Sequence, residues 1–317
     1  GSLTWNGDIY TLNALVDFSG VTGTVEVTGA DGSPQDFVVD TDDTQDGTAA
    51  GAINFGTNAS FSAGGVELSF DASGAGIDSD ADVTLPASIN TAAAVSASGG
   101  IISAGNIITT GGDIVLTGDA NDDLTGSAVI TIAGTLDTTN SGGVATAGAI
   151  NLSSGGNNDY IEADNGGAGV TLRTDAGTTD ANITINLAFE DGTSEEDITL
   201  QAGSGDVDVN NTIGAADAVS LLTVIGAAVD FEGSVDASGV RVTGSTSIGI
   251  DDDNTGNSVT LDINGIESWF ESPAMAADGT ASIEDSAGGS VRFSIRPITA
   301  GTAFDVGDGS DGGTVEV

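Results

Sequence analysis

The side chains of this chain that could do chemistry are almost all carboxylates. Asp and Glu number 48 against four basic residues, there is no His and no Cys, and the formal net charge is −44. All four basic residues are arginines, Arg173, Arg241, Arg292 and Arg296. Without His or Cys there can be no Ser-His-Asp or Cys-His nucleophile, no His-ligated zinc and no thiolate cluster. Without Lys there can be no phosphate-binding P-loop, no Schiff base and no Lys–Asn isopeptide crosslink. Paired carboxylates could hydrolyse a glycoside. Forty-eight of them make pairs inevitable by chance, though, and the middle of the chain has few aromatics on which a sugar could stack. The expectation is therefore no enzyme, with a carbohydrate-active enzyme as the last alternative.

Hard cations suit this inventory better. Calcium takes about six to eight oxygens, which aspartates and turn carbonyls supply. The candidate ligands are Asp40, Asp42, Asp43 and Asp46; Asp119, Asp122 and Asp123 with Asn121; Asp251, Asp252 and Asp253 with Asn254; and Asp305, Asp308 and Asp311. Asp78, Asp80 and Asp82 form a further group. The first group starts like an EF-hand loop but departs from it, with Gly47 misplaced and Gly51 where a Glu is needed. The competing reading is that these are solvated turn aspartates bonded to nearby backbone N–H groups. The charge has an alternative meaning too: Asp-rich surfaces without Lys suit molar salt, where screening shrinks to about 3 Å. Divalent cations are the favoured small partners. Nucleic acids and anionic membranes are repelled, and no nucleic-acid partner is expected.

The elements that must position these carboxylates are short strands. From Gly203 to Ile263 the chain runs through Val207-Asp208-Val209, Leu222-Thr223-Val224, Val229-Asp230-Phe231, Val240-Arg241-Val242, Ile248-Gly249-Ile250 and Leu261-Asp262-Ile263. Each alternates apolar and polar, with Gly, Ser, Asn and Asp between. The steps Val224 to Val242, Phe231 to Ile250 and Val242 to Leu261 suggest a period near 19 residues. Short strands at a fixed period predict a coil that stacks on itself. A looser spine runs through Leu116, Ile132, Leu152, Leu172 and Leu187. With 49 Gly, one Met and Asp as the dominant acid, the composition opposes helix. The fold expected is all-β, a parallel β-helix or β-solenoid.

Three regions are expected. Residues 1–80 are richer in aromatics and carry strand candidates including Leu12–Phe18; they read as a cap, as early coils or as a separate β-sandwich-like module. Residues 81–265 read as solenoid coils, and residues 266–317 as terminal coils or an interface segment. Trp5, Tyr10, Trp269 and Phe270 are the interface candidates at the two ends, the last two being equally suited to plugging a core. The chain starts Gly1-Ser2, without an initiator Met, which suggests a processed product, an excised piece or a tagged form. It stops inside a β-like pattern, which suggests that the polypeptide continues or that this end pairs with something. No run of about 18 apolar residues is present, so no membrane-spanning helix is expected.

The run Gly203 to Gly214, the strands at Leu222–Phe231 and Val240–Val242, and Val291 to Gly309 with its Arg296-Pro297-Ile298-Thr299-Ala300-Gly301-Thr302-Ala303 segment resemble the repeats of filamentous-haemagglutinin-like surface proteins. The resemblance covers residues 100–317 or so and does not extend to the first 80. It implies a right-handed parallel β-helix, export to the cell surface, and adhesive or scaffolding work. The function expected is a structural extracellular or cell-surface protein, a segment of a fibre, sheath or adhesin that is stabilised by cations and associates into a homo-oligomer or filament. The alternative is an adhesin whose loops bind glycans or a host surface.

Overall fold

A run such as Ile114-Val115-Leu116-Thr117-Gly118 has β-branched and apolar residues at every second position, so an extended backbone sends one set inward and the other outward. In the computed structural model this run is a strand with Ile114 and Leu116 fully buried. The same alternation recurs throughout, and the structure is all-β, with no helix among the described residues. The described residues are 3–28, 36–41, 49–56, 58–74, 80–118, 127–155, 159–192, 195–250, 260–263, 268–273, 275–277, 282–285, 290–295, 305–307 and 314–316.

The strands stack in parallel, in the manner of a β-solenoid, within two compact units. The first unit, residues 1–162 with 176–178, has three columns of in-register strands. One column aligns Leu3, Val25, Phe61, Ile89, Ile107 and Leu136. The second aligns Ile9, Val39, Phe70, Ala97, Leu116 and Leu152. The third aligns Val16, Ile53, Val83, Ile102 and Ile130. The chain visits the three columns in turn, so each circuit is one coil. Strands before residue 80 stack directly on those after it, as Phe61 on Ile89 and Phe70 on Ala97 do.

The second unit, residues 163–175 with 179–317, repeats the plan. Leu172, Leu200, Val224, Val242, Phe270 and Phe293 share one column by register. Ile185, Val209, Phe231, Ile250 and Ala277 share another. Phe189, Ile213, Val235, Leu261, Ile283 and Val306 share the third.

These registers correct the expected period. A step of 18 or 19 residues holds from Val224 to Val242 and from Phe231 to Ile250. Val242, however, stacks on Phe270, and Leu261 stacks on Val235 in a different column. The looser spine mixes columns as well: Leu116 lies directly under Leu152, while Ile132 pairs with Ala104 on another side. The physical reason is that all three sides of a coil use the same alternating pattern, so a strand's sequence does not say which side it occupies. The loops at the corners vary in length, and two pairings shift register by one residue, at Asn90–Thr91 and at Gly226–Ala228.

The interior of the first unit is aromatic at its start. Phe55 packs on Phe61 with centroids 4.8 Å apart and on Phe70 at 5.4 Å, and Phe18 stacks on Phe55 at 5.1 Å. Burying each such ring contributes about 1.5–3 kcal/mol. The corners are tight. A Cβ on Gly112 would run into the Ala93 carbonyl and one on Gly148 into Gly112 itself, so a vertical row of glycine keeps successive corners in contact. Buried threonines brace the same corners, the Thr91 hydroxyl donating to the Val66 carbonyl at 2.7 Å and that of Thr138 to Gly148 at 2.7 Å.

Candidate functional site

The carboxylates are distributed by the coil corners, where the chain leaves one strand and the first N–H groups of the next coil lack a ladder partner. Asp and Asn are short enough to reach them. The Asp82 carboxylate accepts from the Ile101 amide (3.2 Å), Asp113 from Ala149 (2.8 Å) and Asp8 from Val38 (3.0 Å). In the second unit the pattern runs on from coil to coil. The Asn182 side chain accepts from the Asp206 amide (2.9 Å), and the Asp206 carboxylate accepts in turn from Ala228 (3.0 Å). Asp180 accepts from both the amide and the hydroxyl of Ser204 at 2.6 and 2.8 Å. Much of the described acid is therefore structural, closing corners from one coil to the next.

The metal candidates fall mostly elsewhere. Asp42, Asp43, Asp46, Asp119, Asp122, Asp123, Asp251, Asp252, Asp253, Asp308 and Asp311 lie outside the described residues, as does Asp78. Asp40 ends the Asp36–Asp40 strand, half-buried, in register with Tyr10 and Asp71. Asp305 opens the Asp305–Gly307 strand, in register with Ser282. Asp80 accepts from the Gly74 amide at 2.5 Å. Among the described residues no three acidic side chains are grouped so as to hold a metal ion.

One acidic grouping was not legible in the sequence. Glu190, Asp191 and Glu196 are all buried beside the corner that follows the Ala188–Asp191 strand. Glu190 accepts from the amides of Ala216 (2.9 Å) and Asp217 (3.2 Å). Glu196 accepts from the Gly167 amide (2.9 Å), and its own amide donates to Asp191 (3.0 Å). Asp191 is pushed up to about 6, first by burial and then by its contact with the Glu196 carboxyl. Burial would raise Glu196 as well, but the bonds it receives from Asp191 and from the Gly167 and Asn165 amides outweigh that and hold it below the usual range. The two neighbouring acids are thus shifted in opposite directions, and Glu196 ties its corner to that of Gly167.

The interface candidates separate in the structure. Phe270 is fully buried in the core of its unit, while its neighbour Trp269 is half-buried on the outward face. Trp5 is half-buried over Phe18, with ring centroids 5.1 Å apart, and its indole N–H donates to the Gly7 carbonyl at 2.8 Å. Tyr10 is 53% exposed, and its hydroxyl donates to Asp8 at 3.5 Å.

Around Trp5 and Tyr10 the first coil is open. Its strands Leu3–Trp5, Ile9–Tyr10 and Val16–Asp17 pair with the next coil on one edge, and among the described residues nothing pairs with the other. Leu3, Tyr10, Leu12 and Leu15 are exposed, and of the large apolar side chains described only Ile101 joins them. The expected strand over Leu12–Phe18 is reduced to Val16–Asp17. Asn13 sits in the left-handed region (φ 57°) and the Thr11 hydroxyl closes a turn on the Ala14 carbonyl at 3.0 Å, which turns Leu12 and Leu15 outward. Leu3, Trp5, Phe18, Val21 and Val25, with Phe37, Phe55 and Phe61, line an apolar gap of about 10 Å³, room for about one water.

No helix among the described residues is long and apolar enough to cross a membrane. The chain matches no family model, no curated protein and no solved structure.

Proposed function

We propose that this chain is a structural β-solenoid segment of an extracellular or cell-surface fibre, sheath or adhesin, and that its first coil docks against another coil. The observation that supports this is the first coil: among the described residues its parallel strands pair on one edge alone, and Leu3, Tyr10, Leu12 and Leu15 are exposed beside it. An edge of this kind is a template for a further strand. Where the coil that covers it belongs to a second copy, the contact is head-to-tail and heterologous, and repetition propagates a filament. The mechanism is geometric. Backbone ladders carry the stack, Val, Ile, Leu and Phe fill it, and corner aspartates close each coil. Cations, calcium among them, offset the repulsion between copies that each carry −44.

The experiment is imaging and size measurement of the purified protein in dilute buffer, in molar NaCl and with millimolar calcium. End-to-end assemblies that grow with salt or calcium are expected. Monomers under every condition would overturn self-association.

A further inference from the structure

Basic residues are scarce, and the second unit gathers them. Its first strand column carries, on the face turned away from the core, Thr171, Thr199, Thr223, Arg241 and Trp269 in successive register positions; in backbone register, Arg292 follows Trp269. The first five side chains are half-buried between buried neighbours such as Leu172, Leu200, Val224, Val242 and Phe270. Arg173 occupies the adjacent outward row, in register with Gln201. Rungs of a sheet repeat at about 4.8 Å, so this row presents three hydroxyls, a guanidinium and an indole at that pitch.

The arginine is held in place. The Arg241 guanidinium carbon lies 4.5 Å from the centre of the Trp269 ring, and its Nε is buried with no hydrogen-bond partner among the described residues. Stacking occupies one flat face of the guanidinium and its Nε is enclosed, so a planar oxyanion would be gripped end-on, through the two Nη groups. Glu271 stands in the adjacent row, in register with Thr243 and not with Arg241.

We propose that this row is a binding track for a carboxylate-bearing polysaccharide, a uronate chain lying along the rungs. The Thr171, Thr199 and Thr223 hydroxyls bond to sugar hydroxyls presented in series. Arg241, braced by Trp269, takes a carboxylate. A nucleic acid needs many more cations than this row offers. An acidic peptide would compete for the same guanidinium and hydroxyls, and the oligo-aspartate arm of the test separates it. The net charge repels any polyanion at long range, but that repulsion is screened within about 3 Å at 1 M salt, whereas a bidentate contact persists. The proposal does not depend on docking of the first coil, because it uses a different unit and a sheet face in place of an edge.

The test is calorimetric titration of the full chain in about 1 M NaCl with a short oligogalacturonate, its methyl ester and an oligo-aspartate. Binding of the oligogalacturonate is expected, weakened about tenfold or more by Arg241→Gln and to a similar extent by esterification, and more modestly by Thr223→Val. Thermal melts of both variants verify that the fold is kept. No binding at millimolar ligand, equal binding of the ester, or full affinity in folded Arg241→Gln would overturn the proposal. Tighter binding of the oligo-aspartate would overturn it in favour of an acidic protein surface.

Discussion

Arg241 lies with its guanidinium carbon 4.5 Å from the ring centre of Trp269, one rung further along the same outward row. In a chain with four arginines and two tryptophans, this contact pairs one of each, with Thr223, Thr199 and Thr171 on the rungs before them. A half-exposed cation–π contact contributes about 0.5–1 kcal/mol. Arg241→Gln should therefore lower unfolding stability by about that amount, and Trp269→Leu by at least as much, since the indole also covers the neighbouring rung. Denaturant unfolding followed by tryptophan fluorescence measures both. A double variant no worse than Trp269→Leu alone would show that the two residues act as a pair.

The buried acid pair sets a pH dependence. Asp191 has a folded value of about 6 against an ordinary 3.8, so the folded state holds its proton more tightly. Its contribution is present at low pH and is lost as pH rises through about 6. Glu196 is shifted the other way, and its contribution is present at neutral pH and lost as pH falls through the ordinary carboxylate range. Asp191→Asn keeps an acceptor for the Glu196 amide and supplies a permanent donor to its carboxylate. It should raise the melting temperature near about pH 7.5 and give no gain near about pH 4. A pH series of thermal melts decides, and an equal effect at both ends would contradict the assignment.

The glycine corners should be intolerant in a position-specific way. Gly112→Ala and Gly233→Ala place a Cβ against the backbone of the preceding coil, at Ala93 and Asn211 respectively. Each should cost about 1–3 kcal/mol from overpacking. Gly65→Ala, with open space around its Cβ, is the control and should stay within about 0.5 kcal/mol of the parent. Equal melts for all three would mean that the coils are not in contact at these corners.

Stability should depend on ions. With a net charge of −44, weakening the screening from about 3 Å at 1 M to about 10 Å at 0.1 M strengthens self-repulsion. The melting temperature should fall markedly when salt is lowered and a chelator is added. Restoration by calcium at constant ionic strength would identify ion binding, and restoration by NaCl alone would identify screening. An unchanged melt in chelator at low salt would contradict both.

The strands were readable because each carries its own evidence. Ile114-Val115-Leu116 and Val170-Thr171-Leu172 alternate in sequence and alternate in burial. Which side of the coil a strand occupies was not readable, because Val242 and Leu261 have the same local pattern yet belong to different columns. The aromatic ends were visible as composition, but Trp269 and Phe270 are adjacent and face opposite ways, a difference set by register alone. Leu12 and Leu15 read as strand residues, and only the Asn13 turn turns them outward. The Asp191–Glu196 pair is not legible in the sequence because nothing in Glu190 to Glu196 distinguishes a buried corner from a solvated one. Corner acceptors such as Asp82 and Asp206 were visible only as abundant Asp, since their partners lie about a coil away.

Sedimentation of edge variants tests most directly whether the open first coil is the docking edge. Leu12→Asp with Leu15→Asp adds charge to exposed side chains without touching the core, and Thr4→Pro removes an edge N–H from the Leu3–Trp5 strand. Under the salt or calcium condition in which the parent assembles, both variants should sediment as monomers while keeping the parent's melting temperature within a few degrees. Assembly of both variants to the parent's size would contradict the account and place the contact elsewhere on the molecule.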